Sequence, residues 1–91
     1  MAVLSKQRIQ NLVTAKSLTV PAGAQYAWLS AEAQDVMFQL DGSDPTATRG
    51  YRIRVAADLA TVIDDEQGLR AIRVIEGAGG ASLNVTYFGT A

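Results

Sequence analysis

Cysteine and histidine are both missing from this 91-residue chain. Their absence excludes disulfide staples, thiolate zinc sites, cysteine nucleophiles and imidazole bases. Charge is sparse, at 19% of residues, and nearly balanced, at a net −1. Nucleic-acid affinity built on phosphate neutralisation needs a surplus of Lys and Arg that is not there. No apolar run approaches the roughly 20 residues that cross a bilayer. The opening "MAVLSKQRIQNLV" also has no continuous apolar stretch of the kind a secretory leader uses. No nucleic acid, no membrane and no cofactor is therefore expected. A chain of this length forms one small domain with a modest core.

What the chain does contain is a series of short alternating segments divided by turn residues. "SLTV" (17–20) puts Leu18 and Val20 on one face, and Pro21 and Gly23 then break it. "QYAWLSA" (25–31) sets Tyr26 and Trp28 against Ala27 and Leu29. "DVMFQL" (35–40) sets Val36, Phe38 and Leu40 against Asp35, Met37 and Gln39. "YRIRV" (51–55) sets Tyr51, Ile53 and Val55 against Arg52 and Arg54, the cleanest half-buried pattern in the chain. "ATVI" (60–63) is a short apolar run. "SLNVTYF" (82–88) sets Leu83, Val85 and Tyr87 against Asn84, Thr86 and Phe88. "LRAIRVIE" (69–76) has a helical hint in Leu69, Ile72 and Ile75, but its β-branched residues favour a strand.

Short strands with turn signals every 8–12 residues, and no room for βαβ crossovers, indicate an all-β chain. The expected fold is a small antiparallel β-sandwich or jelly-roll-like barrel with an N-terminal arm, divided as arm 1–16 and sandwich 17–91. Leu18, Val20, Val36, Phe38, Ile53, Val55, Leu83 and Val85 are the expected core.

Candidate chemistry is thin. "DGSD" (41–44) resembles the start of a Ca²⁺ loop, but Pro45 and a Thr/Ala run follow where further carboxylates are needed. Turn geometry explains it better, with Asp41-Gly42 forming the turn, Asp44 accepting backbone N–H groups and Pro45 stiffening the exit. "GAGG" (77–80) lacks the spacing and following helix of a dinucleotide fingerprint and is expected to be a hairpin turn. Asp64, Asp65 and Glu66 form a solvated turn, because adjacent carboxylates do not converge on one substrate atom. Tyr26, Trp28, Phe38 and Tyr87 could form an aromatic ligand platform, though core positions suit such residues better in a domain this small. No catalytic or metal-ligating set emerges, so an enzyme is not expected. Charge falls in blocks: bases within 1–22, acids in 32–44, Arg49, Arg52 and Arg54, then Asp58, Asp64, Asp65 and Glu66. Such blocks suit contacts between copies, or simply local pairing on strand faces.

The stretches Leu18–Ala24, Glu32–Arg52 and Leu69–Tyr87 together resemble small β-sandwich structural proteins encoded among the virion genes of tailed bacteriophages. The resemblance runs through most of residues 17–88 and includes no catalytic motif. It implies a virion structural protein, first of all a head decoration (cement) protein. Its partners would be the major capsid protein or other virion proteins and its own copies as a homo-oligomer. It would be made in the bacterial host cytoplasm and end in the virion. A neck, tail or fibre-associated module is the alternative in the same setting, and a small carbohydrate-binding β-sandwich the alternative outside it. Residues 1–16 lie outside the resemblance. Their apolar residues Val3, Leu4, Ile9 and Leu12, with Arg8, suggest an arm that docks on a neighbouring copy near its acidic 58–66 segment. Thr46, Thr48 and Arg49 in the 40–50 loop are the second expected contact.

Overall fold

The computed structural model describes residues 2–56 and 59–89. Among them, eight strands and one short helix follow in chain order. They are β1 (Ala2–Ile9), β2 (Lys16–Ser17), β3 (Ala24–Glu32), β4 (Val36–Gln39), β5 (Tyr51–Ile53), β6 (Thr61–Ile63), α1 (Glu66–Ala71), β7 (Arg73–Glu76) and β8 (Ser82–Gly89). Two four-stranded sheets result, in the orders β1-β8-β3-β6 and β2-β7-β4-β5.

The pairings show how the chain is wound. β1 pairs with β8, β2 with β7, β3 with β6 and β4 with β5, all antiparallel. That nesting is one long hairpin whose tip lies between β4 and β5. Rolling the hairpin sends alternate pairs to opposite sheets, and the β3–β8 and β4–β7 pairings then complete each sheet. This is the jelly roll, so the antiparallel sandwich expected from the alternating segments is present.

The core lies between the sheets. Leu29, Val36, Phe38, Ile53, Val74, Leu83, Val85 and Tyr87 meet there, joined by Leu12, Leu69 and Ile72. Ala24, Ala27 and Ala31 line the inner side of β3. They leave room for bulk from elsewhere: Ala27 lies opposite Tyr87 across the ladder, and Ala31 opposite Leu83. Small positions facing large ones is how two layers interdigitate. The Tyr87 hydroxyl donates to Gln7 Oε1 at 2.6 Å, and burial raises its pKa from 10.0 to about 12.

Several expectations are corrected. Residues 2–9 are no arm: they form β1, an outer strand of the first sheet. Ile9 and Leu12 belong to the chain's own core, and Leu4 packs against it. The β1 pattern was hidden by a bulge between Val3 and Ser5, which changes the parity of the inward positions. Leu4 and Ile9 therefore both point inward from an even and an odd position. Residues 10–15 then carry the chain to the second sheet, with Asn11 in the left-handed region (φ 59°) and the Leu12 carbonyl accepting from Glu76 N–H at 2.9 Å.

The 69–76 segment is divided. Its first half is α1, because Asp65 caps the helix by accepting from the N–H groups of Gln67 and Gly68, both at 3.2 Å. Glu66 and Arg70 then pair at i,i+4. Only after the β-branched Ile72 does strand β7 begin. Asp64–Glu66 is thus a helix start, and of the three only Asp64 has the plain solvated role expected.

"GAGG" is not a hairpin turn: it joins β7 in one sheet to β8 in the other. Gly77 N–H donates to the Asp35 carbonyl at 2.7 Å, and a side chain at 77 would crowd that oxygen at 3.0 Å.

Of the expected core, Val20 is only partly buried and Val55 is exposed. β5 ends at Ile53, and Val55 leaves the sheet with its N–H donated to Asp35 Oδ1 at 2.8 Å. Met37, expected outside with Asp35 and Gln39, is 2% exposed yet absent from the inner core cluster, lying opposite Arg52 and Ile75.

Candidate functional site: the outer face of the first sheet

The outward residues of the first sheet form three rows across its strands. Val3, Phe88 and Tyr26 are in register in the first row. Lys6, Thr86, Trp28 and Val62 make the second, and Arg8, Asn84 and Ser30 the third. A second bulge, between Ala24 and Tyr26, matches the one in β1 across the end of β8. It lets Ala24 turn into the core while Tyr26, two residues on, faces outward. Both bulges flank Phe88, and bulges commonly re-aim side chains at such places.

Tyr26 and Phe88 stack with centroids 4.8 Å apart and planes 7° from parallel. Trp28 meets Phe88 at 5.0 Å with a 50° tilt. Trp28 is 48% exposed, Val3 and Val62 are each about half exposed, and Leu59 is 84% exposed. Trp28, Leu59, Ala60 and Val62 bound a shallow groove of about 240 Å³. An aromatic and aliphatic strip thus runs from β1 across β8 and β3 to β6, on the side of the sheet away from the core.

The third row is polar and internally satisfied. Glu32 Oε1 accepts from Asn84 Nδ2 at 3.0 Å, and Glu32 Oε2 from the Arg8 guanidinium. The Asn84 hydrogen bond, followed by that of Arg8, lowers the Glu32 pKa below its usual value. A carboxylate with both oxygens occupied is a fastening between strands rather than a free base.

Several carboxylates elsewhere are similarly committed, among them Asp35, Asp41 and Asp44. A cavity of about 440 Å³ opens beside Asp41, Asp64 and Asp65. Asp41 Oδ1 accepts from Ser43 N–H at 3.0 Å and from the Ser43 hydroxyl, which lowers the Asp41 pKa, hydroxyl contribution first. Asp41 and Gly42 thus form the turn expected of them, with Gly42 at φ 84°, but the backbone N–H expected at Asp44 goes to Asp41, and Asp44 pairs with Arg73 Nε at 2.9 Å. Among the described residues, no three His, Cys, Asp or Glu side chains are grouped to hold a metal ion. Arg52 pairs with Asp35, whose pKa is lowered chiefly by the Val55 N–H and next by Arg52. The sign blocks seen in the sequence are thus partly consumed within the chain. In the expected acidic docking segment, Asp58 lies outside the described residues, Asp65 caps α1 and Glu66 faces Arg70.

The expected contact residues separate. Val3 reaches the aromatic strip, and Arg8 shares that sheet face in its polar row. Leu4, Ile9 and Leu12 point to the interior. Thr46, Thr48 and Arg49 lie on the exposed connection between β4 and β5 in the other sheet. There Thr46 and Arg49 exchange backbone hydrogen bonds at 3.0 and 3.2 Å, and Thr46 Oγ1 accepts from Arg49 N–H at 3.0 Å. Of the four aromatics considered as a platform, Phe38 and Tyr87 are core and Tyr26 and Trp28 are on the outer face. Phe88, Val62 and Leu59 complete the strip and were not singled out from the sequence. The available signal was the alternation that set Phe88 opposite Leu83, Val85 and Tyr87.

Comparison with known proteins finds no matching family model, no similar curated protein and no similar solved structure. The class defined by the structure is the small jelly roll, and the site is the uncharged aromatic strip on its outer sheet face.

Proposed function

We propose that this chain is a structural subunit of a bacteriophage virion, in the first instance a head decoration protein that binds the capsid lattice and its own copies. The observation that carries the proposal is the uncharged aromatic strip on the outside of a jelly roll. Specific interfaces concentrate aromatic residues and exclude charge at their centres, and a patch of this kind on a small domain marks a surface that is covered in use. The jelly roll is also an architecture that viral shells employ, which agrees with the resemblance of residues 17–88. Such a subunit acts by filling area between neighbours and not by chemistry at a bound substrate.

The test is quantitative mass spectrometry of particles purified from a bacterial strain that produces the phage encoding this chain. Decoration requires a copy number on the order of hundreds, following the lattice symmetry. About a dozen copies or fewer would move the subunit to the neck or fibres. Absence from the particle would end the virion assignment.

A further inference from the structure

We infer that the aromatic face of the first sheet is the seam of a two-fold dimer, packed against the same face of a second copy of this chain. The inference rests on the assembly role proposed above and assigns it a surface and a symmetry.

Area is the first argument for that occupant. With ordinary side-chain areas, the exposed parts of Val3, Tyr26, Trp28, Leu59, Val62 and Phe88 amount to roughly 500 Å². A stable interface takes about 800 Å² from each partner, and its non-polar share is about 60%. The strip therefore supplies the apolar part of one such interface, leaving the polar rows to form its rim.

Charge is the second. A two-fold axis brings side chains near it against their own counterparts, so a charge there meets its like. The six side chains of the strip carry none. On the same face, Arg8 and Glu32 neutralise one another. Lys6 lies in the row of Trp28 but two strands away, which places it about 10 Å off, at the rim. A strongly acidic or basic partner would find little here to pair with, whereas a second copy meets no opposition.

Ring geometry is the third. Tyr26 and Phe88 each spend one face on the other, and Trp28 is tilted by 50° to Phe88. A sugar ring needs a flat, open aromatic face to lie on. Stacked and tilted rings beside the Trp28–Leu59–Val62 groove instead offer ridges and a hollow, which suit side chains from a facing sheet.

The experiment measures the mass of the full-length chain by light scattering and sedimentation across about 1–100 μM, a range that detects micromolar association. The expected result is a dimer. Val62→Lys places like charges across the axis from an exposed position, and Trp28→Ser removes the central ring. Each should weaken association by about 30-fold or more, as loss of a central interface residue does. Thr14→Lys, on the exposed connection that leads from β1 to the other sheet, should leave it unchanged, and circular dichroism melts verify that all variants fold. A wild-type monomer throughout the range overturns the dimer. So does a dimer insensitive to both Val62→Lys and Trp28→Ser, since the seam then lies elsewhere. Trp28-dependent binding of the monomer to neutral oligosaccharides would overturn it in favour of a glycan. A monomer that still populates purified particles defeats this inference while leaving the virion role standing, and a dimer absent from particles does the reverse.

Discussion

Replacing Leu12 by Ala asks whether the N-terminal segment is an appendage or part of the fold. Leu12 is fully buried between the sheets, and its carbonyl is held by the Glu76 N–H at 2.9 Å. Removing most of a buried leucine side chain costs the lost transfer free energy plus a cavity term, together about 2–5 kcal/mol. A 91-residue domain has about 5–14 kcal/mol in all, so a loss near 3 kcal/mol takes a large share. At 4–8 °C per kcal/mol for this size, the melting temperature should drop by about 12–24 °C. The neighbouring residue provides the control: Val13 is 72% exposed, and Val13→Ala should change stability by no more than about 0.5 kcal/mol. Thermal melts followed by circular dichroism, with guanidinium titrations to compare slopes, measure both. An L12A protein melting within about 4 °C of the wild type, no lower than V13A, would refute the placement of this segment in the core.

Three further perturbations probe separate parts of the structure. Asp65→Ala removes the cap of α1 and should cost about 1 kcal/mol by chemical denaturation, while Asp64→Ala, one residue earlier, should cost little; equal effects would dismiss the cap. Gly50 has φ of +122°, and a Cβ there would stand 2.7 Å from the Phe38 carbonyl oxygen, so Gly50→Ala should destabilise by about 1–3 kcal/mol; an unchanged melt would contradict that geometry. Tyr87 keeps its proton more tightly when folded, with a pKa raised from 10.0 to about 12, so its contribution is intact below pH 10 and is lost as pH rises toward 12. That shift corresponds to about 2–3 kcal/mol. Tyr87→Phe should remove this part of the alkaline decline, at a cost of about 1 kcal/mol at neutral pH, because Gln7 Oε1 still accepts the Thr19 N–H. Urea titrations at pH 7 and 11 compare the two proteins, and an identical decline in both would defeat the assignment.

How much was legible follows from the parity of the strands. In β8, uninterrupted alternation separated Leu83, Val85 and Tyr87 from Asn84, Thr86 and Phe88, and the structure divides them the same way. β4 and β5 likewise bury Val36, Phe38 and Ile53, as expected. β1 was illegible because a bulge reverses parity within it, so no single period includes both Leu4 and Ile9. α1 was obscured because the cap at Asp65 and the strand-forming Ile72–Ile75 compete within one short stretch. The turn at 77–80 was recognised as a turn, but a local sequence does not say whether a turn returns to its own sheet or crosses to another.

The candidate site shows the same division. Alternation set Tyr26 and Trp28 against Ala27 and Leu29, and that separation is observed. Which side would be buried could not be read from it. Aromatics are the usual choice for an interior, yet here the alanines face inward because Tyr87, Leu12 and Leu83 already fill the space between the sheets. Once the small side of β3 faces the core, its aromatic side must face out.

By itself, the sequence determined what is local: an all-β chain, the positions of most strands and turns, the parity along each unbulged strand, and the absence of cysteine and histidine chemistry. These follow from steric preference and side-chain alternation, which act over a few residues. The tertiary structure decided the nesting of the eight strands, the incorporation of residues 2–12, and the meeting of Val3, Tyr26, Trp28, Val62 and Phe88 on one surface. Those outcomes depend on how volumes fill a shared core and on which distant strands complete each other's hydrogen bonds, and no short stretch of the chain contains that information.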